Sequence, residues 1–229
     1  APIQKSRSSL DPSPAKIVLL VDNSLTIRAD VEKLEQAARE FAYEIYEGDK
    51  LLIVGYDEQA EIVSDSTDDA KSIEKSLKLF RKKGQPFLFD AIRAVVEEAL
   101  RPLPNQKRII VVISDGLDRG SKATFEQTLA ELQAENITVY AVQAVDRTRG
   151  AIRRDVPKPK VVIDKLAEGT GGQIFSIDEP SVAAKGICDE LRKNRYVLSY
   201  VPSSAPFGQA RALLVVGNDG ITVRAKSMQ

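Results

Sequence analysis

Histidine is absent from this chain of 229 residues, and cysteine occurs once. The first absence removes the commonest general base and the commonest zinc ligand. The second excludes any intrachain disulfide and leaves the redox compartment open. Cys188 stands beside Ile187 and three residues before Leu191, a helical spacing that predicts a buried structural thiol. Net charge is lacking too. The 33 Lys and Arg balance 33 Asp and Glu, so no overall field draws the chain to nucleic acid or to an anionic membrane. No apolar run approaches the roughly 20 residues of a membrane-spanning helix. No signal peptide is recognisable, and an opening on Ala1 rather than methionine points to a processed or trimmed N-terminus.

What remains is an ordinary soluble composition, 43% hydrophobic and 29% charged, in a chain long enough to bury a substantial core. Residues 1–15 are polar and punctuated by proline, and read as a tether or an edge segment. Residues 16–22 (KIVLLVD) form a continuous β-branched run, the pattern of a strand buried on both faces. Val31, Leu34, Ala38, Phe41 and Ile45 then recur at helical spacing until Gly48. Strands follow at 50–56 and 60–63, joined by a hairpin turn that makes the second antiparallel at the sheet edge. Helices are predicted from about Asp68 and over 89–100. A strand at 108–114, a helix at 122–135 and a strand at 137–143 come next.

A basic stretch, residues 147–160, interrupts this rhythm. Beyond it lie a short helix around 161–168, a strand at 172–176 and a last helix from Pro180 to near Lys193. The tail changes character. Residues 195–201, 211–217 and 221–225 read as strands joined by turns too short for crossover helices, with Asn218-Asp219-Gly220 as a hairpin turn. Alternation of strand and helix predicts an α/β fold. The expected architecture is a Rossmann-like, doubly wound, mainly parallel six-stranded sheet with helices on both faces. An antiparallel β addition follows at the C-terminus. The corresponding organisation is a segment 1–15, an α/β domain 16–194 and a β extension 195–229.

In such a sheet, ligands bind beyond the carboxyl ends of the central strands. Two strands here end in aspartate: Asp22-Asn23-Ser24-Leu25-Thr26 after the first, and Ser114-Asp115-Gly116 after the fourth. Alternate positions in the first loop offer one carboxylate and two hydroxyls, and the later strand brings a second carboxylate. Hard oxygen ligands at one edge suit Mg2+ or Mn2+, with water completing the octahedron. Either aspartate taken alone serves equally well to cap a turn or a helix.

Three segments in order, VLLVDNSLT (18–26), FLFDAI (87–92) and IIVVISDG (109–116), resemble those of a von Willebrand factor type A domain. The resemblance covers roughly residues 15–226. It implies a metal-ion-dependent adhesion site in which Asp22, Ser24 and Thr26 match the first loop and Asp115 the third. The tail, Tyr196 to Tyr200 and then Val223 to Lys226, is similar to the end of a bacterial, exported branch of the family. It implies an extracytoplasmic location, periplasmic or secreted. The second loop departs from the family pattern. Pro86 stands where a threonine is expected, and proline brings neither a hydroxyl nor an N–H. The side-chain amide of Gln85 is the candidate replacement, and Asp90 suits the start of the following helix. Weak metal binding is the expectation.

The resemblance implies a non-enzymatic, adhesion-type module that binds a protein partner at the C-terminal edge of its sheet. Two alternatives stay open. One is a magnesium-dependent phosphatase or phosphotransfer enzyme with Asp22 as nucleophile. Haloacid-dehalogenase phosphatases and response-regulator receivers also open on a strand ending in aspartate. The first class needs an aspartate where Ser24 stands, and the second an acidic pair where Asn23 follows Asp22. Neither an activated cysteine nor a Gly-Lys-Ser/Thr phosphate loop supports catalysis. The other alternative is a structural assembly module that has lost its metal. Arg147, Arg149, Arg153 and Arg154 follow a strand's carboxyl end and are expected on the same edge, where they suit an acidic partner. The acidic run 57–69 reads as an edge hairpin and a helix start.

Overall fold

A computed structural model describes residues 3–27, 29–78, 80–103, 106–144, 158–202, 220 and 222–226. The chain runs through β1 (Ile3–Leu10), β2 (Ala15–Asp22), α1 (Val31–Glu44), β3 (Lys50–Tyr56), β4 (Ala60–Thr67), α2 (Ala70–Leu77), α3 (Leu88–Val95), β5 (Lys107–Ser114) and α4 (Phe125–Ala134). It continues through β6 (Thr138–Gln143), α5 (Pro159–Thr170), β7 (Ile174–Ser176), α6 (Pro180–Asp189) and β8 (Tyr196–Pro202). Five strands are parallel and β4 is antiparallel, in the order β4-β3-β2-β5-β6-β7. The expected α/β architecture is therefore present, with β2 and β5 at its centre.

Strand parity sorts the core into two layers. Ile17, Leu19 and Val21 of β2 face α1, α2 and α6, with Phe41, Ile73 and Ile187 among their partners. Val18 and Leu20 face α3, α4 and α5, with Ile92, Leu129 and Leu166 opposite. A strand buried on both sides must be apolar throughout, which is why KIVLLV shows no alternation. Local signals set the helix ends. Thr124 and Gln127 close a capping box on α4, Pro159 stands in the first turn of α5, and Gly171 ends α5 in the left-handed region at φ +84°. Cys188 is buried in α6 as expected, and burial foremost pushes its thiol up to about 12.

The terminal segments differ in detail from the sequence expectation. The first tail strand pairs with the N-terminal segment: β1 and β8 form an antiparallel ribbon from Ile3↔Pro202 to Leu10↔Tyr196. IQKSRSSL carries too few apolar residues to announce a strand, and its ladder is made with a partner about 190 positions away in sequence. Residues 222–225, the described part of the expected strand 221–225, carry no strand, and neither does residue 226. Side chains pin that segment instead. Arg224 reaches Gln173 and Glu190, and Lys226 Nζ donates to the Gln133 carbonyl at 3.0 Å. The backbone of Ala225 passes so near Gly171 that a Cβ there would lie 3.0 Å from its carbonyl carbon. The expected strand 211–217 and the basic stretch with Arg147, Arg149, Arg153 and Arg154 lie outside the described residues.

Candidate functional site

The loop after β2 leads to α1 on one face of the sheet, and the loop after β5 leads to α4 on the other. The crevice between them is the topological switch point, where such sheets place ligands. Parity and register set its floor. Asp22 is the next residue after Val18 and Leu20 on the α3 side, and it pairs with Tyr56 on β3. Val21 pairs with Ile113 on β5, so Ser114 is Asp22's neighbour on the other side. One row across the three central strands is therefore polar, directly above apolar rows.

The row is closed by its own hydrogen bonds. Tyr56 Oη lies 2.9 Å from Ser114 Oγ and 3.2 Å from Asp22 Oδ2. Ser114 Oγ donates to Asp22 Oδ2 at 3.0 Å and accepts from the Gly116 N–H at 2.9 Å. The other carboxylate oxygen, Oδ1, accepts from the Ser24 N–H at 3.0 Å. Asp22 has no exposed surface. Burial is the main cause that raises its pKa, against the lowering effect of bonds from Ser24, Ser114 and Tyr56. The Tyr56 phenol is held well above its ordinary range, first by burial and then by the charges of Asp22 and Asp115. That coupling brings Asp115 into the same electrostatic neighbourhood.

The four residues expected at a metal site are placed as follows. Asp22, Ser24 and Thr26 share one tight loop, in which Ser24 Oγ and Thr26 Oγ1 lie 3.0 Å apart. Asp115 follows Ser114 at the end of β5, is buried, and accepts the Leu117 N–H at 2.9 Å. Oxygens on adjacent corners of a magnesium octahedron, with bonds of about 2.1 Å, are separated by about 3.0 Å. The spacing of the two hydroxyls fits that edge, and the donor set of hydroxyl and carboxylate oxygens fits a hard cation. Among the described residues no cluster of three or more His, Cys, Asp or Glu side chains is arranged as a metal site. A site here would therefore depend on the hydroxyls.

The second loop is built into the crevice by its backbone. Asn23 O accepts from the Lys83 N–H at 2.8 Å, Gly84 O from the Leu25 N–H at 3.1 Å, and Asp57 O from the Phe87 N–H at 2.9 Å. Pro86 is buried, and its carbonyl accepts the Arg119 N–H at 2.7 Å. Gln85 is exposed. The loop thus joins the first and third loops through main-chain bonds, without a hydroxyl at position 86. Asp90 lies in the first turn of α3, as expected, and its carboxylate also receives the N–H groups of Lys122 and Ala123 just before α4.

Tyr56 and Ser114 are the residues of the polar row that loop motifs do not assign to the candidate site. They follow from the register across the strands, which sets Tyr56 and Ser114 on either side of Asp22. Two buried polar atoms at this edge, Asn23 Oδ1 and Asp57 Oδ2, have no hydrogen-bond partner among the described residues. Lys83 Nζ lies 3.8 Å from Asp57 Oδ2.

Residues 17–117 match the family model for the von Willebrand factor type A domain. No curated protein matches the chain. Among solved structures, a von Willebrand factor type A protein from Catenulispora acidiphila superposes with a TM-score of 0.64 at 14% identity, over 79% of this chain and 42% of that one. An aerotolerance-related membrane protein from Bacteroides fragilis gives 0.62 at 18% identity, over 78% of this chain and 99% of that one. Proximal thread matrix protein 1 from the mussel byssus gives 0.60 at 18%, over 80% and 49%. At such identities the likeness is one of fold. Together with the match over the segment that contains β2, the second loop and β5, it shows that this chain has a fold like that of von Willebrand factor type A domains and that residues 17–117 are similar to that family.

Proposed function

We propose that the chain is a non-enzymatic protein-binding module of adhesion type, and that its partner docks on the loops at the carboxyl ends of β2 and β5. The reading is carried by the Ser24–Thr26 hydroxyl pair, 3.0 Å apart, beside a buried carboxylate at the switch point. Asp22, Ser24, Thr26 and Asp115 would hold Mg2+ or Mn2+ there, and hold it weakly because Pro86 supplies no oxygen from the second loop. When bound, such a cation offers an open position to a carboxylate of the partner. Asp22 holds the loop closed through the Ser24 N–H, while Tyr56 and Ser114 fix the orientation of its carboxylate. Leu25, between the two hydroxyls, is 65% exposed, an apolar contact at the rim of a polar centre. Arg147, Arg149, Arg153 and Arg154 are proposed to favour an acidic partner, and an extracytoplasmic location is proposed with them.

The buried setting of Asp22 speaks against its use as a nucleophile: both of its oxygens are engaged, and no surface of it meets solvent. Isothermal titration tests the reading. The parent chain is expected to bind Mn2+ or Mg2+ weakly, Asp22→Ala to lose binding, and Pro86→Thr to tighten it. Tight binding by the parent would refute the weakness. No gain in Pro86→Thr would refute its assigned cause. No binding by any variant would favour a metal-free assembly module.

A further inference from the structure

We propose that the groove between α1 and α2 binds an acidic segment of a protein partner, at a surface separate from the metal centre. Arg39, Lys71, Glu74, Lys75 and Lys78 line an open cavity of about 270 Å³ there. Four cations meet one carboxylate, a net charge of +3. The single carboxylate is already engaged: Glu74 Oε1 accepts the Tyr43 hydroxyl at 3.0 Å and lies 3.4 Å from Arg39 Nε. Lys71, Lys75 and Lys78 are exposed, and among the described residues their ammonium groups make no ion pair and no hydrogen bond.

Their spacing matters as much as their charge. Positions 71, 75 and 78 follow one another by four and three, so the three ammoniums share one face of the helix. Like charges at that spacing repel by about 0.2–0.5 kcal/mol per pair, and an anionic occupant relieves that repulsion. The stripe spans about 10 Å along the axis. That exceeds a single phosphate and suits carboxylates on alternate residues of an extended peptide, about 7 Å apart. Tyr43, 62% exposed beside the groove, gives such a peptide an apolar surface. The chain as a whole carries no net charge, so the attraction is local and favours a short acidic stretch over a long polyanion.

Fluorescence anisotropy of a labelled decaglutamate peptide with the full chain tests this. Saturable binding is expected, weakening at least tenfold in Lys71→Ala/Lys75→Ala/Lys78→Ala and falling as salt is raised. Alanine at these exposed helical positions favours the helix, so the variant is expected to fold, with circular dichroism as the check. Peptide binding by the parent is expected to be the same in EDTA as in Mg2+, which separates this site from the metal centre. Undiminished peptide binding by the triple variant would overturn the proposal. So would tighter binding to phosphatidylserine vesicles than to the peptide, or self-association of the parent that the lysine substitutions abolish.

Discussion

Asp22 stands between two opposing influences: burial favours its neutral form, and four hydrogen-bond donors favour its charge. Burial prevails, and the folded pKa lies above the unfolded one. The linkage then has a definite sign. A carboxyl raised on folding contributes stability that is fully present below its unfolded pKa and is lost as pH rises through the folded value. Asp22→Asn removes that dependence while keeping shape. Without divalent cations, the melting temperature of Asp22→Asn relative to the parent is expected to climb as pH rises above the ordinary carboxylate range of about 4. Differential scanning calorimetry reads this, and a flat difference would mean that Asp22 ionises as freely as an exposed carboxyl. Tyr56→Phe is a milder test. Ser114 keeps its bonds to Asp22 and Gly116, so a loss of about 1 kcal/mol in urea denaturation is expected. The candidate-site residues legible in the sequence were those at the ends of strands and in the following loops, where polar side chains interrupt an apolar run. Tyr56 reads as the aromatic end of an apolar run and Ser114 as part of the loop before Asp115, and only the pairing of three strands puts both in one row with Asp22.

At the level of elements, close backbone approach decides what can change. A Cβ at Gly172 would lie 1.9 Å from the Val139 carbonyl oxygen. Backbone cannot yield there without moving β6, so Gly172→Ala is expected to lose more than about 3 kcal/mol, the range of severe core lesions. Equilibrium unfolding measures it, and a loss under 1 kcal/mol would show that β6 and β7 can separate freely. Gly120 has a different role. A Cβ there would meet the Phe87 ring at 2.3 Å, and Phe87 follows Pro86 in the second loop. Gly120→Ala is therefore expected to displace that loop, altering Mn2+ affinity more than melting temperature. Element identity was largely legible, because periodicity reports burial on one face or two. Element length was not. β4 runs to Thr67 rather than Val63, since its outer residues are polar and its ladder, not its composition, keeps it extended.

Across the whole molecule, the sheet was the part most legible in the sequence, since alternation of strand and helix leaves few alternatives. The ribbon of β1 and β8 was the least, because its pairing joins distant segments and one partner is polar. Its attachment to the domain is specific. Lys107, buried at the start of β5, donates to the carbonyls of Asp11 at 2.7 Å and Leu191 at 2.8 Å. Lys107→Met would leave both acceptors unpaired, at about 1–3 kcal/mol each. Hydrogen exchange is expected to show faster exchange over residues 5–10 with the central strands still protected. Uniform acceleration throughout would mean that the ribbon is integral to the core.

The ribbon also determines how the domain responds to tension. Ile3 lies opposite Pro202 at its outer end and Leu10 opposite Tyr196 at its inner end. A load drawing residues 3 and 202 apart therefore acts on one rung of the ladder at a time, as a zipper opens, instead of shearing all rungs together. On that register the ribbon is expected to yield first and at low force, before the load passes beyond Leu10 to β2. A molecule that gripped a partner at the far edge of its sheet would thus lengthen under strain before its binding loops were disturbed.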